Sequence, residues 1–170
     1  PAGCANGNII AEKQLYVKKK EQSLMNSQGS IVLSLIPLRN LTFTVQKQRS
    51  NYHLLEPLAS DEKVTVIVED VLHEYQYVSQ YPAEQGGSST LELLDKNANY
   101  KLTLLLTKTI NGEDKLVGGF DGNWTVIADT LYGKTNIILK VYEHIPLPTS
   151  DKDAVKMFIE IPENSKNLTH

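Results

Sequence analysis

Hydrophobic and polar positions alternate in short runs through residues 100–144, and the runs end at turn dipeptides. Asn111-Gly112 and Asp121-Gly122 each stand between two such runs. Both dipeptides tolerate the positive φ angles that a two-residue hairpin loop requires. Because alternation with a period of two is typical of a half-buried strand, this stretch predicts a meander of four antiparallel strands and an all-β fold class.

The two predicted loops fix a register for the meander. The loop at Asn111-Gly112 places Leu106 opposite Val117, and the loop at Asp121-Gly122 places Gly119 opposite Trp124. Directly opposed residues share one face of a sheet. One face then carries no charged residue; its members are Leu102, Leu104, Leu106, Val117, Gly119, Trp124, Val126 and Ala128. We therefore predict that Trp124 is buried.

Further strands are predicted on both sides of the meander. The segments with strand-like patterns are 31–38, 41–45, 64–77, 91–94, 137–143 and 155–161. The apolar pattern is interrupted at Glu69-Asp70, which predicts a bend or bulge there. Residues 9–25 fit either a helix or a strand. Regularly spaced strands with turn signals between them predict a two-sheet antiparallel β-sandwich of about eight or nine strands.

The same patterns divide the chain of 170 residues into three parts. Residues 1–29 form an N-terminal tether followed by the ambiguous segment, residues 30–162 form the β-sandwich domain, and residues 163–170 form a polar C-terminal tail. One domain of this size is large enough to bury a hydrophobic core.

Composition excludes several classes of function. A hydrophobic content of 41% with 22% charged residues is typical of a globular protein. The net charge of −3 gives no basic surface for nucleic acid. The one basic cluster, Lys18-Lys19-Lys20, is followed at once by Glu21 and fits a solvated segment. The chain has no run of about twenty apolar residues to span a membrane.

The single cysteine, Cys4, cannot form an intramolecular disulfide. Ala2-Gly3-Cys4 resembles the end of a bacterial lipoprotein signal, in which small residues precede the cysteine that is lipidated. This resemblance implies an extracytoplasmic protein attached to a bacterial membrane, in the periplasm or at the cell surface, only through a lipid on Cys4. The alternative is an incidental terminal cysteine.

Three N-x-S/T sequons start at Asn40, Asn123 and Asn167. Each is a possible N-glycosylation site in a eukaryotic secreted protein. The sequons and the lipoprotein-like terminus therefore predict different localisations, secreted or membrane-anchored.

Ala98-x-Tyr100-x-Leu102 resembles the tyrosine corner of immunoglobulin-like sandwiches. In that motif the tyrosine hydroxyl bonds to backbone upstream in the chain. The resemblance implies an immunoglobulin-like or transthyretin-like β-sandwich, and the alternative is an ordinary tyrosine at the start of a strand.

Motifs for catalysis or cofactor binding fail at specific positions. His73-Glu74 lacks the second histidine of a zinc-binding HExxH motif, and residues 95–99 begin like a calcium loop that has Tyr100 where glycine is required. There is no G-x-S-x-G elbow. We therefore predict no metal, no cofactor and no catalytic residue, which means a protein that is not an enzyme.

Tyr75, Tyr77 and Tyr81 cluster at the end of one long predicted strand. Tyrosine provides contact area and a hydroxyl at low entropic cost, so these residues are the candidate partner-binding surface; alternatively they pack under the preceding loop. The predicted function is a non-catalytic exported β-sandwich that mediates protein–protein contacts in a cell-envelope or surface assembly. The alternative is a glycan- or small-ligand-binding module that uses these tyrosines.

Overall fold

The computed structural model describes residues 7–23, 32–50, 54–166 and 168. Strands make up 55% of the chain and helices 14%, so the predicted β class is confirmed in this coarse form. The elements in chain order are β1 (Gly7–Ala11), β2 (Lys19–Ser23), β3 (Leu38–Arg49), β4 (Leu55–Pro57), β5 (Glu62–Asp70), β6 (Tyr75–Tyr81), a 3₁₀ turn (Glu84–Gly86), β7 (Thr90–Leu94), β8 (Ala98–Ile110), β9 (Glu113–Val126), α1 (Ala128–Leu131), β10 (Asn136–Glu143) and α2 (Asp151–Asn164).

Eight of these strands form one curled mixed sheet. Its order is β4-β3-β10-β9-β8-β5-β6, with β7 paired to the first part of β3 beside β4. β1 and β2 form a separate antiparallel hairpin. β3 and β10 pair in parallel, from Thr42–Asn136 to Arg49–Glu143. The prediction of a purely antiparallel arrangement is therefore wrong at this pair, which joins segments far apart in sequence.

The curl of the sheet brings its two margins together around the core. The Tyr75 hydroxyl on β6 donates to the carbonyl oxygen of Glu92 on β7 at 2.8 Å. Inward-facing side chains at every second position fill the space enclosed. The most deeply buried of them are Val45, Val64, Val66, Val68, Leu91, Leu93, Tyr100, Leu102, Leu104, Leu106, Val117, Leu139 and Val141.

The prediction of a meander is confirmed at the first turn and is wrong at the second. Asn111 and Gly112 have φ angles of 55° and 83°, and Ile110 opposes Glu113 across the predicted loop. A register shift at Leu106/Thr107 then places Leu106 opposite Gly118 rather than Val117. Trp124 opposes Tyr100 rather than Gly119, because β9 continues through Asp121-Gly122. Trp124 is only 8% exposed, which confirms its predicted burial.

Asp121-Gly122 is part of the continuous strand β9 and not a loop. The Thr103 hydroxyl on β8 donates to the Asp121 carboxylate at 2.8 Å. A Cβ on Gly122 would lie 2.9 Å from the Phe120 ring. The glycine therefore makes room for an aromatic side chain that packs along the strand.

The predicted strand at 155–161 is wrong, because these residues lie in helix α2. The Ser150 hydroxyl accepts from the Asp153 backbone N–H at 3.2 Å and so caps the first turn. Met157 and Ile161, four residues apart on one helix face, are buried against the outer surface of β9.

The remaining predictions of local structure have mixed outcomes. Residues 9–25 contain parts of β1 and β2, and the described part of 31–38 is not a strand before Pro37. The interruption at Glu69-Asp70 is the end of β5, followed by a turn at 71–74. α2 extends past residue 162, and Leu168 in the predicted tail is buried.

Candidate functional site

The predicted contact tyrosines face the interior of the curled sheet. Tyr75 is buried, and burial together with the nearby Glu92 carboxylate raises the pKa of its hydroxyl far above the ordinary value. Tyr77 and Tyr81 are half-buried and pack against the core, with the Tyr81 ring 6.0 Å from that of Phe43. These contacts favour the packing alternative, and a role in binding stays a prediction.

The predicted modification sites are spread over the chain. Asn40 on β3 and Asn123 on β9 are both exposed. Cys4 and Asn167 lie outside the described residues. The structure therefore tests neither lipidation nor glycosylation, although the two described asparagines are accessible to a modifying enzyme.

A chain of three polar side chains lies at the turn between β5 and β6. The buried Asp70 carboxylate accepts from His73 twice, from its backbone N–H at 3.1 Å and from Nδ1 at 2.8 Å. On the other side of the ring, the Lys96 ammonium donates to His73 Nε2 at 2.9 Å. Because both partners of the imidazole are thereby fixed, the hydrogen-bond pattern assigns its proton to Nδ1.

The hydrogen-bonded side chains of Asp70, His73 and Lys96 hold a turn whose tip is unusual. Val71 is 77% exposed and Leu72 is 84% exposed. Glu74 has a φ angle of 51°, a left-handed conformation that side chains other than glycine, Asn and Asp rarely adopt. Branched apolar residues are disfavoured at exposed turns, and strain of this kind concentrates at functional sites. We call residues 71–74 the apolar loop.

The apolar loop forms a ridge between two clefts. One cleft of about 350 Å³ lies between the loop and residues 17–20, 34 and 36. The other, of about 600 Å³, lies between the loop and residues 97–101, 123 and 125–127. Val71, Leu72 and His73 line both clefts, so a molecule bound at either one contacts this ridge.

The geometry at His73 is that of a structural support. An imidazole oriented by a buried carboxylate is also found in catalytic sites, where its second nitrogen activates a nucleophile. Here the second nitrogen accepts a hydrogen bond from Lys96. Of the described residues, none offers a hydroxyl or thiol hydrogen-bonded to His73. The arrangement therefore fixes the position of the apolar loop.

The zinc-motif comparison at His73-Glu74 does not predict the apolar loop. The available signal was Val71-Leu72 directly after Glu69-Asp70, because a bulky apolar pair is unexpected where a strand pattern stops. Within the described parts of the chain, no group of three or more potential metal ligands occurs.

Tyr100 supports the turn between β7 and β8 that carries Lys96. Its buried hydroxyl accepts from the Leu94 backbone N–H at 2.8 Å, which confirms the predicted bond to upstream backbone. Burial raises the pKa of Tyr100 to about 12, although the Leu94 hydrogen bond acts in the opposite direction. Tyr100 also packs against Trp124, with ring centroids 5.9 Å apart.

A second polar cluster lies inside the opposite end of the sheet. The Lys47 ammonium contacts Glu62 at 2.6 Å and Glu143 at 3.0 Å, and all three side chains are almost fully buried. Arg49 and Lys108 reach the same carboxylates from the edge of the cluster, at 3.2 Å each. None of these three residues lines either of the two clefts beside the apolar loop. The network therefore belongs to the interior of the protein.

Comparisons with known proteins give no relative for this chain. It matches no protein-family model, no curated protein and no solved structure. Of the helices in the described ranges, none is both long and apolar enough to cross a lipid bilayer.

Proposed function

We propose that this protein is non-catalytic and acts by binding another protein through the apolar loop. The observation that carries this proposal is the exposure of Val71 and Leu72 on a turn that the Asp70–His73–Lys96 chain holds rigid. A preorganised apolar anchor loses little conformational entropy on binding, and such anchors provide most of the affinity at protein interfaces.

The lining of the first cleft indicates the chemistry of the partner. Lys18, Lys19 and Lys20 lie in it opposite one exposed acidic residue, Glu74. The exposed ion pairs of Lys18 with Glu12 and of Lys19 with Glu21 are weak enough to exchange. The partner surface therefore combines an apolar pocket for Val71 and Leu72 with acidic residues at its rim.

Photo-crosslinking in the native source tests this function. A photoreactive amino acid at position 72 is expected to give one dominant adduct, identified by mass spectrometry, and the additional change Val71→Ser should reduce it at least tenfold. The matched control is the same amino acid at Leu54, which is 75% exposed and lies next to β4 at the opposite end of the sheet. Equal adducts from both positions, or none from position 72, contradict the proposal.

The cellular location is part of the same proposal. We hold that the protein is exported and anchored through a lipid on Cys4, supported by the resemblance of Ala2-Gly3-Cys4 to a lipoprotein signal. Intact mass of protein from its native source tests this: an acyl mass on Cys4 is expected. Hexose and N-acetylhexosamine on the exposed Asn40 or Asn123 would instead support a secreted protein.

The two other sequence-based proposals have less support. Glycan binding by Tyr75, Tyr77 and Tyr81 requires ring faces that here pack in the interior. Kinship with immunoglobulin-like or transthyretin-like sandwiches is supported by the Tyr100–Leu94 hydrogen bond, whereas the parallel pairing of β3 with β10 departs from an antiparallel sandwich.

A further inference from the structure

Helix α2 has two apolar faces, and only one of them is covered. Met157 and Ile161 pack on β9, while Val155, Phe158 and Ile159 are 60%, 53% and 71% exposed. These three positions share one face of the helix because their spacing is i, i+3 and i+4. We call them the α2 stripe.

The stripe adjoins a groove on the outer surface of the main sheet. Phe158 and Ile159 line this groove together with Leu105 and Pro162. The surface is therefore larger than three side chains, and it is continuous with the sheet. An exposed apolar surface of this kind marks an interaction site when its surroundings are polar.

Charges beside the stripe are divided between the two halves of the helix. Lys152 and Lys156 flank the N-terminal half, and Glu160 and Glu163 flank the C-terminal half on the same side. All four are at least partly exposed. The only other charges on α2 are Asp151 and Asp153 in the capped first turn.

We propose that the α2 stripe binds the α2 stripe of a second copy of this chain, with the two helices antiparallel. A two-fold axis near Phe158 brings Lys156 of one copy beside Glu160 of the other, and Lys152 beside Glu163. Parallel packing about a two-fold axis would instead place the charged sides of the two helices apart, so that these pairs would not form. The apolar stripe supplies the affinity and the charges set the direction.

Existing ion pairs on the helix do not oppose this association. Lys156 contacts Glu160 of its own helix at 3.9 Å, with side chains 75% and 42% exposed. Glu163 pairs with Lys166, and both are exposed. Exposed pairs of this kind contribute little stability, so exchange of partners between copies costs little.

Sedimentation equilibrium over a concentration series up to about 1 mM is the first test. The mass is expected to rise with concentration from 19.0 kDa towards about 38 kDa. Phe158→Ser should weaken the association at least tenfold. The paired change Val71→Ser with Leu72→Ser is the matched control and should leave it unchanged, which separates this surface from the apolar loop.

Charge reversal tests the antiparallel arrangement. One variant carries Lys152→Glu and Lys156→Glu, and the other carries Glu160→Lys and Glu163→Lys. Each alone is expected to remain monomeric, and an equimolar mixture should form the dimer. Both variants place charges in the direction that the helix dipole favours, so circular dichroism should show an intact helix.

Three results overturn the proposal. The first is a wild-type mass that stays at 19.0 kDa throughout the series, and the second is dimerisation of Phe158→Ser as strong as that of the wild type. The third is a failure of the mixed charge variants to associate, which excludes the antiparallel arrangement even if the wild type dimerises.

Discussion

Lys47 and Glu62 form an ion pair in which Nζ lies 2.6 Å from Oε1, and neither side chain is more than 2% exposed. Glu143 contacts the same ammonium at 3.0 Å, and the Ala59 backbone N–H donates to the second oxygen of Glu62 at 2.8 Å. Strands β3, β5 and β10 thus meet at a single lysine. Removal of Lys47 leaves two buried carboxylates without the buried cation that they share.

Substitution Lys47→Met tests this network. It leaves Glu62 and Glu143 buried without their shared cation, so we expect the free energy of unfolding to fall by about 3–5 kcal/mol. Urea denaturation followed by Trp124 fluorescence provides the measurement. Lys63→Met is the control, because the Lys63–Asp114 pair is about half exposed and its loss should cost under about 1 kcal/mol. Equal losses for the two variants would contradict the assignment.

The same network predicts an acid limit to stability. Burial acts to raise the pKa of Glu62, but its hydrogen bonds with Lys47 and Ala59 outweigh burial and hold the pKa below its ordinary value. The unfolded chain therefore binds the proton more readily, and the stabilisation is lost as the pH falls through the folded pKa. Unfolding free energies of wild type and Glu62→Gln, measured between pH 7 and pH 3, should converge towards low pH. Glu113→Gln, at an exposed side chain, should run parallel to the wild type.

Lys47 provides the corresponding limit in alkali. Burial acts to lower the pKa of Lys47, yet the hydrogen bonds to Glu62 and Glu143 raise it overall. Its contribution is complete below the unfolded value of 10.5 and is lost only as the pH rises through the folded pKa. The difference in unfolding free energy between wild type and Lys47→Met should therefore be the same at pH 8 and pH 10. A steep fall of this difference across that interval would disprove the raised pKa.

Tyr100→Phe removes the acceptor of the Leu94 N–H. The buried donor is then unsatisfied, and we expect a loss of about 1–3 kcal/mol in unfolding free energy, with faster hydrogen exchange at Leu94. Tyr132→Phe is the control, since Tyr132 is 64% exposed. A cost at Tyr100 no greater than at Tyr132 would show that the hydroxyl contributes nothing.

Gly118→Ala tests the close approach of β9 to β10. A Cβ at Gly118 would overlap the carbonyl oxygen of Tyr142, so one of the two backbones must move, at a cost of about 1–3 kcal/mol. Gly87→Ala offers a comparison, because Gly87 has a φ of −75° and open space around it. That change should be neutral or slightly stabilising; thermal denaturation of both variants decides between them.

Turn chemistry was predictable where one local rule acted alone. Asn111-Gly112 adopts the positive φ angles that its sequence predicts, and the register next to it is correct. Asp121-Gly122 carries a similar signal, but tertiary packing of Phe120 and the Thr103 hydrogen bond decide its conformation. Local propensity gives no indication of such partners, and the register shift at Leu106/Thr107 has no sequence signal that we recognise.

Helix α2 had a recognisable signal that the alternation of Val155, Met157, Ile159 and Ile161 obscured. Ser150 followed three residues later by Asp153 is a helix N-cap pattern, and the structure shows both hydrogen bonds of this cap. The hydrogen bond that the Ser150 hydroxyl donates to the Asp153 carboxylate, and a further one from the Thr149 hydroxyl, also lower the pKa of Asp153. A rule that gives capping residues priority over short alternation would have found the helix.

The candidate site was less predictable than the fold. His73, Asp70 and Lys96 come together only because β5, β6 and the β7–β8 turn meet at one end of the sheet. The exposure of Val71 and Leu72 depends on which face each strand presents. No spacing rule in the sequence expresses either relationship, since both arise from the curl of the sheet.

The position of β10 determines when the sheet can close. β10 lies between β3 and β9, although, of the strands of this sheet that the structure describes, it is the last to leave the ribosome. Until residues 136–143 have emerged, β3 lacks its parallel partner and β9 has an open edge. The N-terminal half of the sheet therefore cannot complete its pairing until β10 has been translated and has left the ribosome.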